Sequence, residues 1–256
     1  MSSLAANLGF ALRAMPGESV CGDQIGVWPQ GEHRLQLALA DGLGHGQGAH
    51  QAACNVMRLL GDLQPLAISA RFQYCDEHLL HSRGVALAMA DIDLQAHCLT
   101  HAAVGNIRSL LLRQGQVRRL GAARGIVGAG YRDLYPEQHD FQPGDWLVMF
   151  SDGIGEDARI ADALSAAEPS QVAGRTTGHV AGRASAKINR NASAQIAGQD
   201  TDEIDQKASA QVAGQIAGQI AGQVTTQATA QAIAQALLER WASAQDDASL
   251  LLYQHV

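Results

Sequence analysis

Asp41-Gly42, Asp152-Gly153 and Asp246-Asp247 are acidic turns far apart in the chain, and each abuts an apolar run that reads as a β-strand. Carboxylates gathered at one place repel one another, and divalent cations offset that repulsion, so the chemistry suggested is that of a metal centre. Asp41 and Asp152 follow the runs 35–40 and 146–151, Asp246 precedes the run 248–253, and Asp23 precedes the run 24–28. Strand ends and strand starts share an edge in an antiparallel sheet, so these carboxylates would meet at one rim. Hard oxygen donors without a His or Cys cluster suit Mg2+ or Mn2+ rather than zinc or copper. Gly42, with no side chain, would let its carbonyl approach an ion. One Asp-Gly pair alone is an ordinary turn, and it is the shared placement of the acidic residues against strands that carries the expectation.

Positioning such residues requires a rigid framework, and residues 8–150 alternate strand-like and helix-like patterns. Strands are expected at 20–28 and 34–40. A glycine-rich turn at 42–48 leads into a helix over 50–60, with apolar spacing at Ala53, Val56, Met57 and Leu60. A second helix is expected over 66–80. The runs 85–92, 97–104, 107–112 and 116–120 then read as successive strands of one β-meander, broken at Asp93, Gly105-Asn106 and Gln114-Gly115.

Beyond Ser151 the composition changes, and from Gln171 a four-residue repeat of polar, aliphatic, small, then Gly or Ala runs through Gln235. Its clearest copies are Gln211-Val212-Ala213-Gly214 and Gln215-Ile216-Ala217-Gly218. A period of four exceeds the 3.6 residues of a helical turn, so the aliphatic stripe would drift about 40° per unit and no face would stay buried. Repeated glycines weaken a helix further, each by about 1 kcal/mol relative to Ala. Fraying helix or disorder is expected, as a neutral expansion, an interaction arm or a repeat solenoid. The bulkier end of the repeat, residues 231–241, reads as a genuine helix packed on the core. The expected organisation is therefore a catalytic domain in two parts, 1–165 and 232–256, interrupted by a repeat insertion at 166–231.

With 256 residues and 46% hydrophobic content the chain can bury one substantial core. Its formal net charge of -7 argues against nucleic acid as a partner. Neither a signal peptide in residues 1–15 nor an apolar run of membrane-spanning length is evident, so a soluble cytoplasmic protein without a membrane partner is expected. Cys21, Cys54, Cys75 and Cys98 show no CxxC pairing and read as reduced thiols. The sequence leaves the oligomeric state open.

Cys21-Gly22-Asp23, Asp41-Gly42-Leu43-Gly44-His45-Gly46, Ser151-Asp152-Gly153-Ile154-Gly155-Glu156 and Asp246-Asp247-Ala248-Ser249 together resemble the ordered motifs of SpoIIE-type serine phosphatases, within the protein phosphatase 2C-like superfamily. The resemblance covers residues 8–163 and 232–256 and excludes the repeat. With no sensor domain attached, and with Ala103-Val104-Gly105-Asn106-Ile107, it leans toward the RsbX-type stand-alone phosphatases of bacterial stress signalling. It implies an α+β fold, an αββα sandwich of two antiparallel sheets flanked by helices, with two Mn2+ or Mg2+ ions at one end. Asp41 would bridge the ions, Gly42 would offer its carbonyl, and Asp23, Asp152 and Asp246 would complete the shell, with Asp247 the second choice. Asp41 and Asp152 would be catalytic through a metal-held water that attacks phosphorus in line. The implied substrate is phosphoserine or phosphothreonine on a phosphorylated STAS-type regulator of a stressosome. An anti-anti-sigma factor, or capture of a partner without hydrolysis, is the alternative.

The chain departs from many eukaryotic relatives at two points. Gly22 stands where they have an acidic residue, and Leu43 stands where they have the His that serves as general acid. His45 lies two places later, and leaving-group protonation by water is expected instead. His97 and His101 have helical spacing, but on a strand they would stand about 13 Å apart, too far to share an ion. Residues 104–132 carry six arginines and no acid. Solvated hairpin faces account for them, while substrate docking would fall to Arg118 and Arg119.

Overall fold

The computed structural model describes residues 7–63, 66–155, 160, 163–164 and 230–256. Twelve strands and three helices are described: β1 (Leu8–Arg13), β2 (Asp23–Gln30), β3 (Arg34–Gly42), α1 (Gln47–Asp62), α2 (Ile68–His78), β4 (Val85–Asp93), β5 (Cys98–Val104), β6 (Arg108–Arg113), β7 (Gln116–Arg119), β8 (Arg124–Ile126), β9 (Gly130–Arg132), β10 (Glu137–Asp140), β11 (Trp146–Phe150), α3 (Ala230–Trp241) and β12 (Ala248–Gln254). The repeat expected at 166–231 lies outside the described residues, except for its last two positions in α3.

Ten strands form two five-stranded sheets, in the orders β1-β12-β11-β6-β7 and β10-β5-β4-β3-β2, and β8-β9 form a small separate pair. Every pairing within them is antiparallel. The central strands β3, β4, β11 and β12 are buried on both faces because both faces are covered. Along β3, Leu35, Leu37 and Leu39 join Ala88, Leu99, Leu147, Met149, Leu251 and Tyr253 between the sheets. The alternate residues Ala38 and Ala40 face α1 and α2, and their small size lets Val56, Leu60 and Phe72 approach closely. On the second sheet, Val148, Phe150, Leu250 and Leu252 face outward onto Ala234, Leu237 and Leu238 of α3. Each large apolar side chain buried this way contributes roughly 1.5–3 kcal/mol relative to exposure. The result is the expected αββα sandwich.

The expected single β-meander is corrected by the strand order. β4 and β5 pair in one sheet, whereas β6 and β7 lie in the other, with β6 paired to β11. The chain crosses between sheets at Gly105-Asn106. Local periodicity marks each strand but does not choose its neighbour, and Leu110, Leu111 and Leu112, buried in succession, require cover on both faces.

Candidate functional site

The β2–β3 pairing sets Asp23 directly opposite Asp41. β3 continues one residue further to Gly42, whose N–H donates to the Gly22 carbonyl at 3.1 Å. Gly42 is there because α1 lies against it: a Cβ would come 2.1 Å from the Ala49 carbonyl oxygen. On the other sheet, Asp152 lies two residues after β11 and Asp246 lies two residues before β12. The antiparallel β11–β12 register returns these two turns to the same end. The rim is thus shared by two stacked sheets rather than drawn along one, as strand-edge reasoning had it.

Asp41, Asp152 and Asp246 line a cleft of about 600 Å³ together with Leu43, His45, Asn106 and Arg124. Asp23 lies beneath them, 1% exposed. Neither of its carboxylate oxygens has a well-formed hydrogen bond. The hydroxyls of Ser151 and Ser249 are the groups that favour its charged form. Those two bind each other, with the Ser249 hydroxyl donating to Ser151 Oγ at 3.2 Å and the Ser249 N–H donating to the same oxygen at 3.0 Å.

The electrostatic consequence is a set of carboxyls held back from ionising. Burial, then the charges of Asp23, Asp152 and Asp246, pushes the Asp41 carboxyl up to about 8, with Asn106 opposing. Burial likewise pushes Asp23 up to about 7, against Ser151 and Ser249 and with Asp247 and Asp152 adding to the rise. Asp246 is raised as well, chiefly by burial. The Asn106 amide donates to Asp152 Oδ2 at 2.7 Å and holds that carboxylate at the cleft wall.

Among the described residues, no three His, Cys, Asp or Glu side chains are placed closely enough to hold an ion as they stand. The donor chemistry nevertheless fits hard divalent cations. The orphaned buried oxygens of Asp23 and the crowded, proton-holding Asp41 are what carboxylates look like when the charge that would balance them is not beside them. All the donors are oxygen, which suits Mg2+ or Mn2+.

Of Asp246 and Asp247, only Asp246 lines the cleft. Asp247 is buried, accepts the Met15 N–H at 2.9 Å and leaves its other oxygen unpartnered. That oxygen would stand 2.7 Å from a Cβ on Gly22. A side chain at that position would displace Asp247. The chain carries its buried carboxylate on β12's approach.

His45 lines the cleft, half exposed, with Nδ1 2.6 Å from Glu18 Oε1. Leu43 is an exposed part of the same wall. Arg118 and Arg119 are not brought to the cleft: both lie on the exposed strand β7, and Arg118 lines a separate groove with His139 and Gln138. His97 and His101 share no site. His101 is fully buried within β5 with both ring nitrogens unpartnered, while His97 lies in a turn with its ring 5.2 Å from that of His255. Asn106, Arg124, Glu18 and the Ser151–Ser249 pair were missed as site residues. Asn106, Ser151 and Ser249 had a sequence signal in their places in the 103–107, 151–156 and 246–249 motifs, and Arg124 in the arginine-rich stretch 104–132.

The family model of stage II sporulation protein E (SpoIIE) matches residues 31–204, well over half of the chain. The stage II sporulation protein E of Bacillus subtilis is 28% identical over 163 residues, which cover 60% of this chain and 20% of that protein. The phosphoserine phosphatase RsbX of the same organism is 26% identical over 95 residues, covering 37% of this chain and 47% of RsbX. The chain thus spans less than half the length of either relative. A solved structure from work on the bacterial stressosome, a modular system adapted to control secondary messenger signalling, superposes with TM-score 0.69 at 22% identity, over 97% of this chain and 98% of its own. RsbX in complex with magnesium superposes with TM-score 0.64 at 17% identity, over 96% and 92%. These structural likenesses establish the fold.

Proposed function

The chain belongs to the SpoIIE family of protein phosphatase 2C-like phosphatases, and on that premise we propose that it is a metal-dependent phosphatase that hydrolyses phosphoserine or phosphothreonine on a STAS-type partner-switching regulator. The observation that carries this reading is the carboxylate-walled cleft of Asp41, Asp152 and Asp246 above the buried, unpartnered Asp23. The likenesses to RsbX and to a stressosome structure support the choice of a signalling phosphoprotein as substrate.

Asp41, Asp23, Asp152 and Asp246, with the Gly42 carbonyl, would hold two Mn2+ or Mg2+ ions. When bound, such ions supply charge neutralisation at phosphorus and a water acidic enough to act as nucleophile near neutral pH. The protein's part is placement. Asp41 feels the charges of Asp23, Asp152 and Asp246 together, so it would be a ligand whose charge a bound cation offsets most. Asn106 orients Asp152 through its amide. Binding a cation would draw off the proton that burial and crowding keep on Asp41. Solvent can reach the open cleft to protonate the departing serine oxygen, and the seryl protein itself would be engaged outside the cleft, at Arg118 and Arg119.

The test is release of phosphate from a phosphoserine protein with and without Mn2+. Wild type should be active only with the ion, and Asp41→Asn or Asp152→Asn should each lose at least about a hundredfold in kcat, the scale of removing one charge-stabilising group. Turnover that survives either substitution, or that persists under chelation, would end the proposal.

A further inference from the structure

One arginine, Arg124 at the start of β8, is among the residues that line the acidic cleft. Arg34, Arg71 and Arg113 are spent on carboxylates, on Asp93, on Asp91, and on Asp140 and Asp145 respectively, and Arg83 donates to the His45 carbonyl. Among the described residues Arg124 has no ion-pair or hydrogen-bond partner, although Asp41, Asp152 and Asp246 line the same space. Its two donor edges are therefore available to an incoming anion.

The backbone that carries Arg124 is firmly held. Ala123, the preceding residue, donates its N–H to the Ala103 carbonyl at 2.8 Å and accepts from the Gly105 N–H at 3.0 Å. Val127, just after β8, exchanges both backbone hydrogen bonds with Val85 at 2.9 Å. The far side of the hairpin is tied by Asp76, whose Oδ1 accepts the Gly128 N–H at 2.7 Å, and by Tyr131 packed edge-on to Phe72 at 6.1 Å. Ala103 and Gly105 flank the β5–β6 crossing that also carries Asn106, so Arg124 and Asp152 are positioned from the same short segment. A guanidinium on so fixed a mount loses little freedom when it grips an anion.

We infer that Arg124 is a phosphoryl-binding residue, forking onto two non-bridging oxygens of the substrate's phosphomonoester dianion while the carboxylates hold the cations. The inference rests on the phosphatase reading above. A planar fork of donors matches phosphate in a way that an ammonium does not, which makes Arg→Lys an informative change. Since the group being gripped is the phosphoryl itself, the interaction is independent of the polypeptide that bears it.

The experiment uses the full chain loaded with Mg2+ and measures equilibrium dialysis of inorganic phosphate alongside KM and kcat for p-nitrophenyl phosphate. Arg124→Ala should weaken phosphate binding and raise KM by about tenfold or more, the scale of one charge-assisted hydrogen-bond pair. Arg124→Lys should recover only part of that loss, and Arg132→Ala, its exposed cross-strand neighbour, should change neither. Unaltered phosphate binding by Arg124→Ala, or a defect seen only with protein substrates, would overturn the inference while leaving the phosphatase reading intact. A wild-type protein that neither binds phosphate nor hydrolyses the aryl ester would overturn both. Matching thermal unfolding of wild type and variants checks that this exposed side chain has not been needed for folding.

Discussion

Asp23 and Asp41 occupy directly opposed positions on β2 and β3, so two carboxyl groups share one rung of an antiparallel ladder in the protein interior. Opposed cross-strand residues have Cβ atoms about 4.5–5.5 Å apart, and like charges there are destabilising. Sheet register, not loop conformation, forces the pair together. Relief requires either protons or cations.

That relief has a pH signature. Asp41 and Asp23 titrate near 8 and near 7 in the fold, against an ordinary value of 3.8. Between those limits the folded chain binds more protons than the unfolded chain, so their contribution to stability is full at low pH and is lost as pH rises through the folded values. In chelator, Asp41→Asn should therefore raise the Tm relative to wild type by several degrees at about pH 8 and far less at about pH 4. Added Mg2+ should stabilise wild type most at the higher pH. Equal differences at both pH values in thermal melts would contradict this account.

Gly42 transmits the position of α1 to the cleft. A methyl at this position would meet the Ala49 carbonyl oxygen, which is backbone and cannot rotate aside. Gly42→Ala should cost about 1–3 kcal/mol through displacement of α1, a fall of roughly 2–4 °C in Tm for each kcal/mol. It should also weaken metal binding, read by calorimetric titration of Mg2+. An unchanged melt would show that α1 shifts freely.

His45 sits at the cleft wall with Nδ1 engaged by Glu18. If water protonates the departing oxygen, His45→Ala should reduce kcat by less than about tenfold, below the usual range for loss of a general acid. A loss matching that of Asp41→Asn would instead make His45 the proton donor.

Arg118 and Arg119 lie on the exposed strand β7, away from the cleft lining. Reversing both to Glu should raise KM for a phosphoprotein severalfold and leave KM for a small aryl phosphate unchanged. Equal effects on the two substrates would discredit docking there.

The acidic residues were legible because of what surrounds them. Runs such as 35–40, 146–151 and 248–253 are apolar on both faces, so each marks a strand buried on both sides, and an Asp at its end marks a sheet rim. Asp41, Asp152 and Asp246 follow from that pattern. It could not reveal that the rim belongs to two sheets, because the crossing at Gly105-Asn106 looks locally like any hairpin turn. The strand pattern alone did not rank Asp246 over Asp247, since adjacent residues on a turn differ only in which way each side chain points; that ranking came from the family resemblance, and the cleft lining agrees with it.

By itself the sequence determined the long apolar strands, their acidic ends and that the donors are hard oxygens, for these are properties of local periodicity and side-chain chemistry, whereas β1, β8, β9 and β10 carried no such periodicity. Tertiary structure alone decided which carboxylates face the cleft, that Asp23 lies buried and unpartnered beneath them, and that Arg124 reaches the same space while Arg118 does not. Those outcomes depend on sheet register and on stacking between strands far apart in the chain, and neither is encoded in any short window.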